Sequence, residues 1–520
     1  MHFRSILPLS LLPLSLLPLT TLALRPRDER VLNTTVLILG GGMTGVSAAH
    51  SLAIDRNITD FLVLEARHEL GGRVQQGKIG DLNIELGANW VEGLGTNPIW
   101  TLAQKYGINN RYSNWSNIDY FTEDGWQDET GSLAQALTRY EEDVFIKASA
   151  DAGRRKALGL PDLSMKAGLR VAGWNPLTPE ERAAEYFSHD WEQAEPPVES
   201  SFIGTIEVYN ETFIEFGNSD NHLVIDQGGY KQVIIKYGDE IPNFQDKVLF
   251  NEVVETIEYR SDGVTVKTAS GLTVNAEYAL CTFSLGVLQH DDVAFEPALP
   301  DWKQDAIANF HLATYMKIFA KFPTKFWNDT EFALYADADE RGYYAVWQSL
   351  DAPGFYEGSK SIFATLTSDA AYHAELQTDE EVQADFVAVL RDMYGAENVP
   401  DPIDFTFPRW TLDPLFRGTF TNWGAGVTVK QQDDMRAPVG GDAETERRLF
   451  FAGEHTSRKY FGYLHGAFFE GRMAAHNLGD CVLFNCMESD GTTLAKRDAM
   501  EFELNKVGAT HGRLRKRMWG

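Results

Sequence analysis

One lysine stands on a strand face where apolar contacts are expected. The stretch TYMKIFAKFP, residues 314–323, is rich in aromatic and β-branched side chains and stops at Pro323, so it reads as a β-strand. Alternation places Tyr315, Lys317, Phe319 and Lys321 on one face, and Met316, Ile318, Ala320 and Phe322 on the other. Lys317 thus shares a face with two aromatic rings. An ammonium held against such a face is desolvated, and desolvation lowers its pKa, so it could help manage protons. The competing reading is a stem that crosses apolar ground and keeps its head in water; Lys321, nearer the strand end, fits that description. A second chemical signal is TTVLILGGGMTGVSAAHSLA, residues 34–53, in which Gly40, Gly42 and Gly45 fit G-x-G-x-x-G. The first glycine permits a tight turn, the second lets the backbone approach a pyrophosphate, and the third lets helix and strand pack closely.

Those glycines are useful only if the right elements flank them. An apolar run precedes the cluster and a helical pattern follows it, so a phosphate would lie on a helix N-terminus. A second strand, DFLVLEA, ends at Glu65, 20 residues after Gly45, where an acid is placed to bind ribose hydroxyls. Strand, glycines, helix, strand and acid in this order predict a dinucleotide site rather than a structural glycine turn. The expected fold class is therefore α/β with a Rossmann-like unit.

The whole chain bounds the remainder. At 520 residues it is too long for one ordinary core, and 43% hydrophobic with 12% aromatic content suits a folded protein of two or more domains. A net charge of −29 disfavours nucleic acid and anionic membranes and favours cationic partners, although solubility alone would also explain it. Residues 1–24 are Leu-rich, begin with Arg4 and are broken by Pro8, Pro13 and Pro18, which predicts a secretory signal peptide rather than a membrane span. With no second long apolar run, no membrane association is expected after cleavage. Sequons at Asn33, Asn57, Asn114, Asn210 and Asn328 are compatible with export. Of three cysteines, Cys481 and Cys486 are near enough to bridge or to remain as two thiols, while Cys281 reads as a buried thiol. The segment 488–520, ending HGRLRKRMWG, reads as a solvated basic tail.

A series of blocks extends these signals along the chain: EARHELGGRV, NIELGANWVEG, WEQAEPP, DQGGYKQV, SLGVLQ, TYMKIFAKFP, RAPVG and LFFAGEHTSRKYFGYLHGAFFEG. In type and order they resemble the FAD-dependent polyamine oxidases, of the flavin monoamine oxidase family and the secreted plant or fungal type, over roughly residues 33–485. The resemblance implies a Rossmann-like FAD-binding domain, drawn from about 31–110, 222–300 and 415–485, interleaved with an α+β substrate-binding domain from about 111–221 and 301–414. It implies that Arg73 contacts the cofactor phosphate, that the backbone at Val254 holds the adenine, and that Glu454 contacts the flavin, alongside Gly40, Gly42, Gly45 and Glu65. Because KYFGYLHG lacks a cysteine where monoamine oxidases attach their flavin, noncovalent FAD is implied.

The implied reaction oxidises a polyamine such as spermine, spermidine or an N-acetyl derivative. Hydride passes from the carbon beside the amine to flavin N5, the imine hydrolyses to an aldehyde and a shorter amine, and O2 reoxidises the flavin to give H2O2. Lys317 matches the lysine that holds a water beside N5. Glu92 and Glu192 match the carboxylates of the substrate tunnel, and Tyr463 matches the aromatic wall over the flavin. Tyr315 and Trp423 are further candidates for the lining, with core burial as the alternative for each. Gln193 departs from the family, which often has an aromatic residue there, and makes the tunnel more polar. Two competitors are another FAD amine oxidase, such as an L-amino-acid oxidase, and a catalytically silent flavoprotein. The first needs a cation for a substrate carboxylate, which Glu92 and Glu192 would repel.

Overall fold

The computed structural model describes residues 30–440 and 447–486. The expected leader, 1–24, and the basic tail, 488–520, lie outside the described residues.

The Rossmann-like unit forms as the glycine pattern requires. Strand Arg30–Leu39 runs parallel to Phe61–Glu65 on one side and to Leu272–Cys281 on the other. Val248–Phe250 extends the sheet beyond Phe61–Glu65, and Leu449–Phe451 pairs with Leu272–Cys281, both in parallel. An antiparallel meander through Gly263–Thr268 and Val254–Arg260, with Ala294–Glu296 at the edge, completes eight strands. Parallel strands covered on both faces read as unbroken apolar runs, and Val36, Leu37, Ile38 and Leu39 are all fully buried. Helix Met43–His50 covers one face and is crossed by the long helix Leu464–Phe484. That crossing is close because Gly471 has no side chain: a Cβ there would stand 2.2 Å from the Thr44 carbonyl oxygen.

A second, seven-stranded sheet has the order Asp404–Thr406, Tyr315–Lys321, Ser361–Thr367, Val346–Ser349, Phe332–Ala336, Ile118–Thr122, Gly125–Gln127. The strand expected at 314–323 is present as Tyr315–Lys321. Its two faces divide as the alternation predicts. Met316, Ile318, Ala320 and Phe322 pack with Val382, Phe386 and Leu390 of helix Asp379–Tyr394. Tyr315 and Phe319 pack on the opposite side, in the cluster that contains Trp90 and Trp191. A small sheet of Trp90–Glu92, Asn221–Val224 and Asn110–Tyr112 completes the set of elements that bound the site.

Cys481 and Cys486 are joined by a disulfide, and Cys281 is a buried free thiol. No helix among the described residues is long and apolar enough to cross a membrane.

Candidate active site

One elongated cavity runs from the end of strand Phe61–Glu65, past the glycine turn, to Lys317 and Tyr463. At the turn, Gly45 is required by packing: a Cβ would lie 1.9 Å from the Gly40 carbonyl oxygen. Gly42 is required by space. A Cβ there would meet nothing closer than the Gly72 Cα at 4.0 Å, and both glycines line the cavity. Helix Met43–His50 starts at Gly42 with no side-chain cap, so its first N–H groups are left for an anion. Glu65 accepts from the N–H of Gly41 at 2.7 Å and of Arg67 at 2.8 Å, and its remaining lone pairs are free for hydroxyl donors. Val254 lines the same end, tied to Glu65 through the Glu252 N–H on the Glu65 carbonyl at 3.0 Å.

The middle of the cavity is held by an ion pair. Arg73 Nη1 donates to Glu454 Oε1 at 2.7 Å and to the Thr419 carbonyl at 2.6 Å. Glu454 also accepts from the Thr421 hydroxyl at 3.0 Å and the Gly462 N–H at 2.8 Å. Burial alone would push this carboxyl up; the Arg73 guanidinium, with the other donors, holds it below its ordinary value. Two residues expected to touch the cofactor thus brace each other. An acid at the ribose position, a side-chain-free phosphate turn and an Arg–Glu pair beyond it fit FAD along the cavity's length. No cysteine is among the residues lining it.

The far end carries the other candidates. The Lys317 ammonium is buried, donates to the Gly87 carbonyl and, at 3.5 Å, to that of Glu85, and lies 5.7 Å from the Trp90 ring centre. Burial brings its pKa down to about 7, although the carboxylates of Glu85 and Glu92 pull upward. Glu92 ends strand Trp90–Glu92, and Glu192 lies in the short helix Trp191–Gln193. Each is half-buried and lines the cavity. Burial pushes Glu92 well up, the nearby Glu192 adds to the rise, and Lys317 offsets it in part. Burial likewise raises Glu192, whose carboxylate accepts a hydrogen bond from the Tyr463 hydroxyl. Tyr315 and Gln193 complete the lining, and Tyr315 packs at 5.5 Å against Phe420.

Trp423 is a correction. It lies outside the lining, in the core between Phe310 and Phe461, with its Nε1–H on the Val427 carbonyl at 3.0 Å. The motif TNWGAG places it beside the site, but the local chain turns its ring into the sheet-covering layer. Sequence alone does not single out Glu85, whose carbonyl accepts from Lys317, or Trp90, Trp191 and His465, which line the cavity. His465 stood in plain view in FGYLHG; its signal was hidden because it falls at the start of a helix, where spacing does not say which face meets the cavity.

A sequence profile described as flavin containing amine oxidoreductase matches residues 43–478. The chain belongs to that family. Among relatives of this flavin-containing amine oxidoreductase, Polyamine oxidase 1 of Zea mays is 37% identical over 468 residues, covering 86% of this chain and 90% of the maize protein. Polyamine oxidase 7 of Oryza sativa subsp. japonica is 37% identical over 456 residues, covering 84% and 93%. Among solved structures, putrescine oxidase bound to putrescine superposes with a TM-score of 0.68 at 19% identity, covering 86% of this chain and 99% of the other, and so shares the fold.

Proposed function

We propose that this flavin-containing amine oxidoreductase oxidises polyamines. The observation that carries the reading is the pair of half-buried carboxylates, Glu92 and Glu192, lining one cavity beside a lysine that burial drives toward neutrality. Two acids in a desolvated site are stabilised best by a cation that enters it, and a polyamine supplies several, spaced along methylene chains that suit Tyr463 and Tyr315. The names of the maize and rice relatives agree.

FAD, when bound, supplies the acceptor for the hydride from the carbon beside nitrogen and passes the electrons to O2, yielding H2O2. The chain's own groups do the rest. Glu92 and Glu192 hold ammonium groups distant from the reacting one, and the aromatic walls exclude water around the reacting carbon. Lys317, with a pKa near 7, can hold or release a proton at Nζ under working conditions. The imine product hydrolyses to an aldehyde and a shorter amine.

The test is anaerobic mixing of the yellow holoenzyme with spermine, a simple monoamine or an L-amino acid. Bleaching of the flavin band fastest with spermine is the expected result. Fastest bleaching by the L-amino acid would replace the substrate assignment, and no bleaching by any amine would favour a silent flavoprotein. Acid precipitation is expected to leave all FAD in the supernatant; colour in the pellet would mean a covalent link.

Export is part of the same proposal. Support comes from the leader-like composition of residues 1–24, the Cys481–Cys486 bridge, and the exposure of Asn33, Asn57, Asn114 and Asn328. A secreted product lacking the leader, and shortened in apparent mass by a glycosidase, is expected; a full-length intracellular product would refute it.

A further inference from the structure

The two carboxylates approach the cavity on elements that share no strand or helix, so something must set the gap between them. Glu92 ends a strand of the small sheet. Glu192 is held through the Tyr463 hydroxyl. His465 is the side chain that touches both supports. It is buried, lines the cavity, and sits in the first turn of helix Leu464–Phe484. Its ring lies nearly parallel to that of Tyr463, with centres 5.0 Å apart and planes at 19°. Tyr460 and Phe216 meet it edge-on at 5.0 and 5.3 Å.

Its two nitrogens reach in opposite directions. Nδ1 is 3.4 Å from Asn97 Nδ2, and Nε2 is 3.2 Å from the Thr212 hydroxyl. The orientation of Asn97 is fixed by its other bonds: Oδ1 accepts from the Ile99 N–H at 2.8 Å, and Nδ2 donates to the Glu92 carbonyl at 2.8 Å. The amide therefore offers a donor to the ring, Nδ1 must accept, and the proton resides on Nε2, where it is donated to Thr212. Burial holds the ring neutral, with its pKa down to about 3, so this tautomer persists across the working pH range. The Glu92 segment is clasped from the Thr212 side as well, since a Cβ on Gly93 would stand 2.0 Å from the Thr212 carbonyl oxygen.

We infer that His465, as the neutral Nε2–H tautomer, is a positioning residue that fixes the distance between Glu92 and the Tyr463–Glu192 pair, and thereby the register of a polyamine in the site. The inference rests on the polyamine reading above. It assigns His465 no contact with the reacting atoms; it acts through Asn97 and Tyr463.

The experiment compares His465→Phe, which keeps the stack and loses both hydrogen bonds, with His465→Gln, which keeps a donor and an acceptor and loses the ring. Rates are expressed per bound FAD. For His465→Phe, KM for spermine is expected to rise about tenfold, because small misplacements near a site carry large penalties. Monoamine kcat/KM should fall by a clearly smaller factor, since a monoamine does not span both carboxylates. His465→Gln should recover part of the spermine loss. In a Tyr463→Phe background, the added effect of His465→Phe should shrink, since a residue acting through another is not additive with it. If His465→Phe fails to retain FAD, Thr212→Val removes the Nε2 acceptor without touching the stack and should raise KM for spermine in the same direction. Equal losses for spermine and monoamine, full additivity with Tyr463→Phe, or wild-type kinetics in the variant that retains FAD would overturn the inference. A wild type that spermine does not reduce would instead refute the polyamine reading, and is seen in the control alone.

Discussion

At the scale of single residues, the site depends on charges kept out of water. Lys317→Met preserves length and removes the ammonium. FAD content is expected to persist, while flavin reduction or reoxidation slows and the pH dependence near 7 disappears. Stopped-flow rates for both half-reactions equal to wild type would return Lys317 to a structural role. Glu92→Gln keeps shape and removes attraction. A charge-assisted contact is worth about 1.5–3 kcal/mol, so kcat/KM for spermine should fall about tenfold to a hundredfold, and less for a short monoamine. Because burial raises both Glu92 and Glu192, protons and polyamine compete for the same carboxylates. KM for spermine should rise as pH is lowered, and a KM independent of pH would contradict that competition. Lys317 was legible in the sequence because a strand with a period of two leaves a misplaced charge visible. The burial of Glu92 and Glu192 was not, since it is created by segments far away along the chain; a shared resemblance located those acids, and no local pattern did. Trp423 failed for the related reason that a residue's place in a motif does not fix the direction of its ring.

At the scale of elements, the turn carrying Glu192 is held from both ends. Arg341 reaches Glu185 at 2.9 Å and Asp190 at 2.7 Å, spanning the π-helical turn Tyr186–Asp190 that leads into Trp191–Gln193. Just beyond, Ala194 adopts a left-handed conformation at φ 60°, with its N–H on the Asp190 carbonyl at 2.7 Å. Removing one partner of a buried ion pair costs about 3–5 kcal/mol. Arg341→Met should therefore lower the melting temperature and raise KM for spermine together, as read by thermal melting and steady-state kinetics; loss of stability with unchanged KM would show that the clamp does not position Glu192. Gly45→Ala should abolish FAD binding, because its Cβ would overlap the Gly40 carbonyl; full FAD occupancy in that variant would mean the turn can relax. These elements were the most readable part of the chain. The G-x-G-x-x-G turn announces its own helix and strand, and Tyr315–Lys321 declares both faces. The clamp was not readable, because Arg341 lies 151 residues from Asp190 and neither carries a motif.

At the scale of the whole molecule, buried ionisable groups set how stability depends on pH. Burial raises Glu85 and Glu141 to about 7 and Glu195 to about 8. A carboxyl whose folded pKa is raised stabilises the fold below its unfolded pKa, and this contribution is lost as pH climbs through the folded value. Above about 7, where Glu85 and Glu141 are already ionised, Lys317 works the other way and opposes Glu195. Buried neutral His455, lowered to about 4, opposes the acids only below its unfolded pKa of 6.5. The holoenzyme's melting temperature should therefore fall between about pH 6.5 and about pH 7 and change little from there to about pH 8; a rise across the first window would mean these carboxyls are hydrated. Added salt should reduce kcat/KM for spermine, because attraction by a chain of net charge −29 is screened beyond about 8–10 Å at 0.1–0.15 M.

The sheet order also dictates when this protein becomes an enzyme during its synthesis. The glycine turn leaves the ribosome early, yet strand Leu449–Phe451 must still arrive to lie beside Leu272–Cys281, and Glu454 must reach Arg73 across 381 residues. At about 5–20 residues per second, the nascent chain spends tens of seconds with the apolar edge of Leu272–Cys281 uncovered and its cofactor cradle open. The cradle therefore closes late, only after Glu454 has been made, and a product truncated before Leu449 lacks both that strand and the Glu454 side of the Arg73 pair.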